Sequence, residues 1–136
     1  MATKKTSHAR YDLWYHLVWC TKYRKRIFLN PHVREKVKTI FKTIASHYDI
    51  EFGELNLLSD HVHFSISAPP RIAPARIVQI LKSVSTKLIF QEFPALRTTE
   101  YWGGEIWAGG YFIRSVGQGI TKQQIDKYVR EQSEEI

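Results

Sequence analysis

The chain is expected to be an α+β protein of the ferredoxin-like kind: an antiparallel βαββαβ sheet with two helices on one face, plus a further helix at the C-terminal end. Three observations lead there. Apolar residues recur at helical spacing in two stretches, from Val33 to Tyr48 and from Ile77 to Leu88. Short segments rich in β-branched and aromatic residues alternate with them. Pro and Gly mark the joints between the two kinds of segment. The resulting order, βαββαβα, begins with the six elements of a split βαβ arrangement.

Residues 11–20 (YDLWYHLVWC) read as a first strand whose two alternating sets are both mostly apolar, which suits burial on two sides in a sheet core or a dimer contact. Asn30-Pro31 opens a helix, Asn as cap and Pro in the first turn. Val33, Val37, Ile40, Phe41, Ile44 and Tyr48 form its apolar stripe, and the helix runs to about His47. Residues 50–57 read as a second strand, Ser59-Asp60 as a turn, and 61–68 as a third strand ended by Pro69-Pro70. Pro74 starts a second helix with Ile77, Leu81, Val84 and Leu88 on its face, finishing before Pro94. The Gly- and Trp-rich stretch 98–110 has room for at most one short strand near 105–108, and Tyr111 to Val116 reads as another strand. Gly117-Gln118-Gly119 is expected to be a flexible joint. Thr121 then starts a last helix, with Gln124 at capping-box spacing. In this arrangement the helices leave one sheet face free for a ligand or partner, and the last helix is an appendage.

No repeat or linker divides the 136 residues, so one domain over 1–136 is expected. The single cysteine, Cys20, excludes an internal disulfide and suits a reducing cytoplasm. Met1 to Thr6 lacks the apolar core of a secretory signal, and no apolar run approaches the ~20 residues that span a bilayer. A cytoplasmic protein without a membrane partner is therefore expected. The net charge of +7 is uneven: residues 1–26 hold seven Lys or Arg against Asp12 alone, and the rest is nearly balanced. Lys22, Tyr23, Arg24, Lys25 and Arg26 form the main cluster, in which a phosphate backbone can meet cations and a base can stack on the tyrosine. A solvated loop is the plainer alternative.

The chemistry concentrates on the third strand. Period-two alternation puts His61, His63, Ser65 and Ser67 on one side, and Val62, Phe64, Ile66 and Ala68 on the other. Two neutral imidazoles two residues apart on one face can share a metal ion. The pattern H-x-H is weak by itself, and solvated or hydrogen-bonded histidines on an open sheet face remain the alternative. Tyr128 and Gln132, four apart, lie one above the other on the last helix. Gln132 offers an amide oxygen to a hard cation, and Tyr128 a phenolic oxygen beside it. Such a donor set suits Mg²⁺ or Mn²⁺. A core aromatic at Tyr128, in a stripe with Ile125 and Val129, and a surface role for Gln132 stay open.

Several ordered segments narrow these options. Tyr15 to Phe28 reads YHLVWCTKYRKRIF, Asp60 to Pro70 DHVHFSISAPP, Leu81 to Phe90 LKSVSTKLIF, and Ile106 to Gly117 IWAGGYFIRSVG, and Tyr128 to Gln132 has the form Y-x-x-x-Q. Together they cover nearly the whole chain and resemble the HUH single-tyrosine transposases (TnpA-like) of small prokaryotic insertion sequences, in which two histidines flank a hydrophobic residue. The resemblance implies that His61, His63 and Gln132 hold a divalent metal and that Tyr128 is the nucleophile, forming a 5′-phosphotyrosine. It also implies an obligate homodimer, action on single-stranded DNA with hairpin ends, and a Tyr128 helix that Gly117 and Gly119 allow to change position. Ser83 departs from an expected glycine and Ala73 from a common capping serine, and both departures bear on DNA contacts.

Two other functions compete. A non-catalytic single-strand binder of ferredoxin-like build would stack bases on Tyr11, Trp14, Trp19 or Tyr23, although no RNP-like aromatic motif is present and tryptophans are more often core. A phosphoesterase with two H-x-S/T motifs finds one in His63-Phe64-Ser65 and no second at His8, His16, His32 or His47. His16 is a candidate extra ligand or a hydrogen-bonded structural histidine.

Overall fold

The computed structural model describes residues 3–6, 9–116 and 122–131. Lys4–Lys5 (β1) and Arg10–Tyr11 (β2) pair as a small hairpin. The main sheet is built from β3 (Trp14–Cys20), β4 (Glu51–Leu57), β5 (His61–Ser67) and β6 (Phe112–Ser115), in the order β4-β5-β3-β6 with every pair antiparallel. Helix α1 (Pro31–His47) joins β3 to β4, and α2 (Pro74–Glu92) joins β5 to β6. This is the ferredoxin-like βαββαβ arrangement. The two central strands, β3 and β5, are the ones whose sequences are apolar or buried on both sides, as central strands require.

The cap of α1 forms as its sequence suggests: the Asn30 side-chain oxygen accepts from His32 N at 2.9 Å and Val33 N at 3.3 Å. Val33, Val37, Phe41 and Ile44 from α1 and Ile77, Leu81 and Ile89 from α2 meet Leu17, Trp19, Val62, Phe64 and Ile66 of the sheet in one core. Phe64 sits at its centre, its ring 5.0 Å from those of both Phe41 and Trp19.

Three expectations are corrected. The first strand is interrupted at Asp12-Leu13, where the Asp12 carboxylate accepts from the Trp14 indole at 3.0 Å, so β3 starts at Trp14. The buried face of α2 is rotated toward Ser85 and Ile89, leaving Val84 and Leu88 only partly buried. Ser85 is buried because it accepts from the Trp107 indole at 2.9 Å and donates to the Lys82 carbonyl at 3.1 Å. The stretch near 105–108, read as having room for at most one short strand, makes a single bridge among the described residues, Thr21 to Trp107, and clamps the end of β3 through Lys22 N to Ile106 O and Ala108 N to Cys20 O.

The third correction concerns the second sheet face. Helix α3 (Lys122–Glu131) packs on β4 and β5 opposite α1 and α2, so that face is partly covered rather than free, and the helix is docked rather than appended. Asn56 Nδ2 donates to the Val129 carbonyl at 2.8 Å, Ser65 donates to the Asp126 carboxylate, and Arg130 pairs with Glu54 at 2.7 Å. Ile125 and Val129 are the apolar residues it buries. The expected joint at Gly117-Gln118-Gly119 and the Thr121 cap lie outside the described residues. Among the described residues, no helix is long and apolar enough to cross a membrane.

Candidate active site

Strand alternation on β5 sends Val62, Phe64 and Ile66 into the helix-covered core and His61, His63, Ser65 and Ser67 to the face under α3. That second face is not open to solvent: His61 is 0% and His63 1% exposed. The alternative of solvated histidines is thereby removed. Their rings lie 4.8 Å apart, edge to face. The register Val18↔His63 puts His16, two residues back on β3, on the same face, and its ring stacks on that of His63 at 5.7 Å. Phe112 of β6 meets His16 edge-on at 5.8 Å.

Burial sets the charge state of this cluster. Desolvation, with the nearby Arg114 charge, lowers the His16 pKa to about 4. Desolvation, helped by His61 and His16, lowers that of His63 to about 3. Both rings are therefore neutral near pH 7 and keep a lone pair for a Lewis acid. The Asp60 carboxyl is also shifted down, with the opposite consequence for its charge: its partial burial favours the neutral form, but hydrogen bonds from His61 and Arg24 and the Arg24 charge outweigh this and hold its pKa below the ordinary value. Asp60 is thus an ionised acceptor. His61 Nδ1 lies 2.8 Å from it, while His61 Nε2 is buried and makes no hydrogen bond among the described residues. The buried Nε2 of His61, beside the neutral imidazole of His63, fits the ligand set of a divalent cation. Among the described residues no three His, Cys, Asp or Glu side chains converge on one point, so further ligands would have to come from another donor type or from residues outside those described. Gln132, the expected third ligand, lies outside them.

Tyr128 belongs to α3, the helix docked on β4 and β5. Residues 125, 126 and 129 of that helix are buried against the sheet, and the Asn56 that holds Val129 is the cross-strand neighbour of His63. The helix of the expected nucleophile and the strand of the expected ligands therefore share one sheet face within one subunit.

The basic cluster is more structural than its charge suggests. Lys22 pairs with Glu105 at 3.2 Å, Arg24 with Asp60 at 3.1 Å and Lys25 with Glu100 at 2.8 Å. Tyr23 is 72% exposed and available for stacking, whereas Trp14 and Trp19 are buried and cannot serve as platforms. Trp107 is also core, but Trp102 is 83% exposed, against the expectation for tryptophan. Two links escaped sequence reasoning: Arg24 to Asp60, 36 residues apart, and Ser65 to Asp126, 61 apart. The only signal for the first was an acid directly before His61; for the second there was none.

Comparisons with known proteins agree with this geometry. The family model described as "Transposase IS200 like" matches residues 9–132. The ISDra2 transposase TnpA of Deinococcus radiodurans is 36% identical over 122 residues, 90% of this chain and 85% of that protein. The transposase of insertion sequence element IS200 from Salmonella typhimurium is 28% identical over 132 residues, 97% of this chain and 84% of that protein. A 1.90 Å crystal structure of a proposed transposase from D. radiodurans R1 superposes with a TM-score of 0.75 at 33% identity, covering 95% of this chain and 97% of that one. A REP-associated tyrosine transposase bound to a REP hairpin shares the fold, with a TM-score of 0.54 at 14% identity over 95% of this chain and 68% of that one. The chain belongs to the IS200-like transposases, enzymes that cut and rejoin DNA in transposition.

Proposed function

We propose that this transposase cleaves and rejoins single-stranded DNA through a 5′-phosphotyrosine on Tyr128, assisted by Mg²⁺ or Mn²⁺ held by His61, His63 and Gln132. The observation that carries the reading is the pair of buried histidines, His61 with an uncommitted Nε2, on the sheet face that α3 covers. When bound, the cation supplies Lewis acidity toward a phosphate oxygen. Tyr128 has only to be modestly nucleophilic, since an ordinary phenol of pKa about 10 is ionised in roughly one molecule in a thousand at neutral pH. Its oxygen attacks phosphorus and loses its proton; the bond from phosphorus to the 3′ oxygen breaks, and that oxygen leaves as a protonated 3′-hydroxyl. The ester energy stays in the phosphotyrosine, so another 3′-hydroxyl can reverse the step and join new ends.

Hairpins at the ends of the element are the proposed substrates; the relative bound to a REP hairpin shares this fold. Tyr23, Lys22, Lys25 and Arg26 are the proposed backbone and base contacts, with Arg24 contributing charge at the same loop. A homodimer is proposed as the working unit. Its support is β6, an edge of the sheet among the described residues, which exposes Phe112 beside an exposed Tyr111. Work on cellular DNA would place the protein in the cytoplasm.

The test is incubation with single-stranded and duplex versions of one end, with Mn²⁺ or with chelator, followed by a denaturing gel. A protein–DNA adduct confined to the single strand with metal is expected. Binding without any adduct would instead favour the non-catalytic single-strand binder.

A further inference from the structure

Arg24 and Asp60 are neither the proposed nucleophile nor proposed metal ligands, yet the structure joins them closely. The Asp60 carboxylate accepts from Arg24 Nε at 3.1 Å and faces Arg24 Nη2 at 3.5 Å. Its backbone carbonyl accepts from Thr21 N at 2.8 Å and from Thr21 Oγ1 at 3.2 Å. Leu58 N to His61 O, at 2.9 Å, closes the turn that presents it. On the other partner, Tyr23 and Arg24 hold φ values of 62° and 51°, a left-handed region that residues with side chains rarely occupy. Two such residues in succession persist where surrounding contacts over-determine them. Here they aim the Arg24 guanidinium at Asp60.

The consequence falls on His61. A guanidinium only donates and a carboxylate only accepts, so Asp60 faces His61 Nδ1 as an acceptor. A neutral imidazole carries one proton, and a proton on Nδ1 leaves the lone pair on Nε2, the buried nitrogen without a hydrogen bond among the described residues. We propose that Arg24 and Asp60 are a positioning pair that fixes the Nδ1–H tautomer of His61, so that Nε2 is ready for the cation before it arrives. The proposal rests on the reading of His61 as a metal ligand.

Asp60→Asn is the sharp variant because it changes no volume. With Arg24 demanding the amide oxygen, the amide NH₂ faces His61 Nδ1, which must then accept, and the proton moves to Nε2. Two measurements on the full-length chain are needed: histidine ¹⁵N–¹H correlation spectra of the metal-free protein, and titration with Mn²⁺ alone. In the wild type, His61 is expected as the Nδ1–H tautomer. Asp60→Asn should convert it to Nε2–H and weaken Mn²⁺ binding by about ten- to a hundredfold. Adding Arg24→Ala to Asp60→Asn frees the amide to turn and should restore part of the affinity, an outcome that a merely structural role for Asp60 does not give. An Nε2–H tautomer in the metal-free wild type, which needs no variant to observe, overturns the proposal. Tight Mn²⁺ binding by the wild type with undiminished binding by Asp60→Asn overturns the positioning pair alone, whereas a wild type that binds no Mn²⁺ overturns the metal reading and the pair with it.

Discussion

The two faces of β5 are equally buried and chemically opposite. Val62, Phe64 and Ile66 join the apolar core under α1 and α2, while His61, His63, Ser65 and Ser67 lie buried on the face that α3 packs against, where Ser65 donates to Asp126. The first face is stabilising by the usual route, removal of apolar surface from water and close packing around Phe64. The second runs against that route, since each buried polar atom costs free energy unless it has a partner. Ser65 is satisfied, accepting from Glu54 N at 2.7 Å and donating to Asp126, but His61 Nε2 has no hydrogen-bond partner among the described residues. One strand thus carries the fold on one side and the proposed metal ligands on the other, and substitutions on the two sides should fail in different ways.

The largest effect is expected from Tyr128→Phe, which removes the oxygen proposed as the nucleophile. Cleavage should fall by at least about a thousandfold with DNA binding retained, measured by adduct formation and by filter binding. Next comes a matched pair across the strand. Phe64→Ala should cost about 3–5 kcal/mol, a large part of a total stability of about 5–15 kcal/mol, and lower the urea midpoint accordingly. His63→Ala should move that midpoint far less and abolish metal-dependent cleavage. If both variants lost stability equally and cleavage survived in His63→Ala, the two faces would not be functionally distinct.

Smaller effects sharpen the second face. Asp126→Ala removes the acceptor of the Ser65 hydroxyl, a loss of about 1–3 kcal/mol. It should appear as faster amide hydrogen exchange in 122–131 with β5 unchanged; equal acceleration in both would mean α3 and the sheet open as one unit. Charge reversal at Lys22, Lys25 and Arg26 should weaken DNA binding and flatten its dependence on log salt by up to about three. Because Lys22 and Lys25 already pair with Glu105 and Glu100, a smaller change in slope would measure how much of the cluster is structural.

What could be read beforehand follows the range of the interactions involved. The period-two pattern of β5, the Asn30 cap and the stripe from Val33 to Ile44 are local, and the structure reproduces them. Ser85 escaped because its burial depends on the Trp107 indole, 22 residues away. The docking of α3 escaped because a helix with few apolar residues gives no sign of which surface will accept Asp126 and Arg130. The same limit hid Arg24 behind its charge: a cation in a basic run looks like a phosphate contact until a carboxylate from another loop is found against it.

The most direct measurement is peptide mapping by mass spectrometry after reaction with single-stranded DNA from one end of the element and Mn²⁺. Trypsin cuts after Lys127 and Arg130, so a nucleotide mass on the fragment from Tyr128 to Arg130, absent with chelator and absent in His61→Ala, is the expected result. An adduct on any other tyrosine would remove this helix from the catalytic site, and the same adduct formed without metal would contradict the metal site on these histidines.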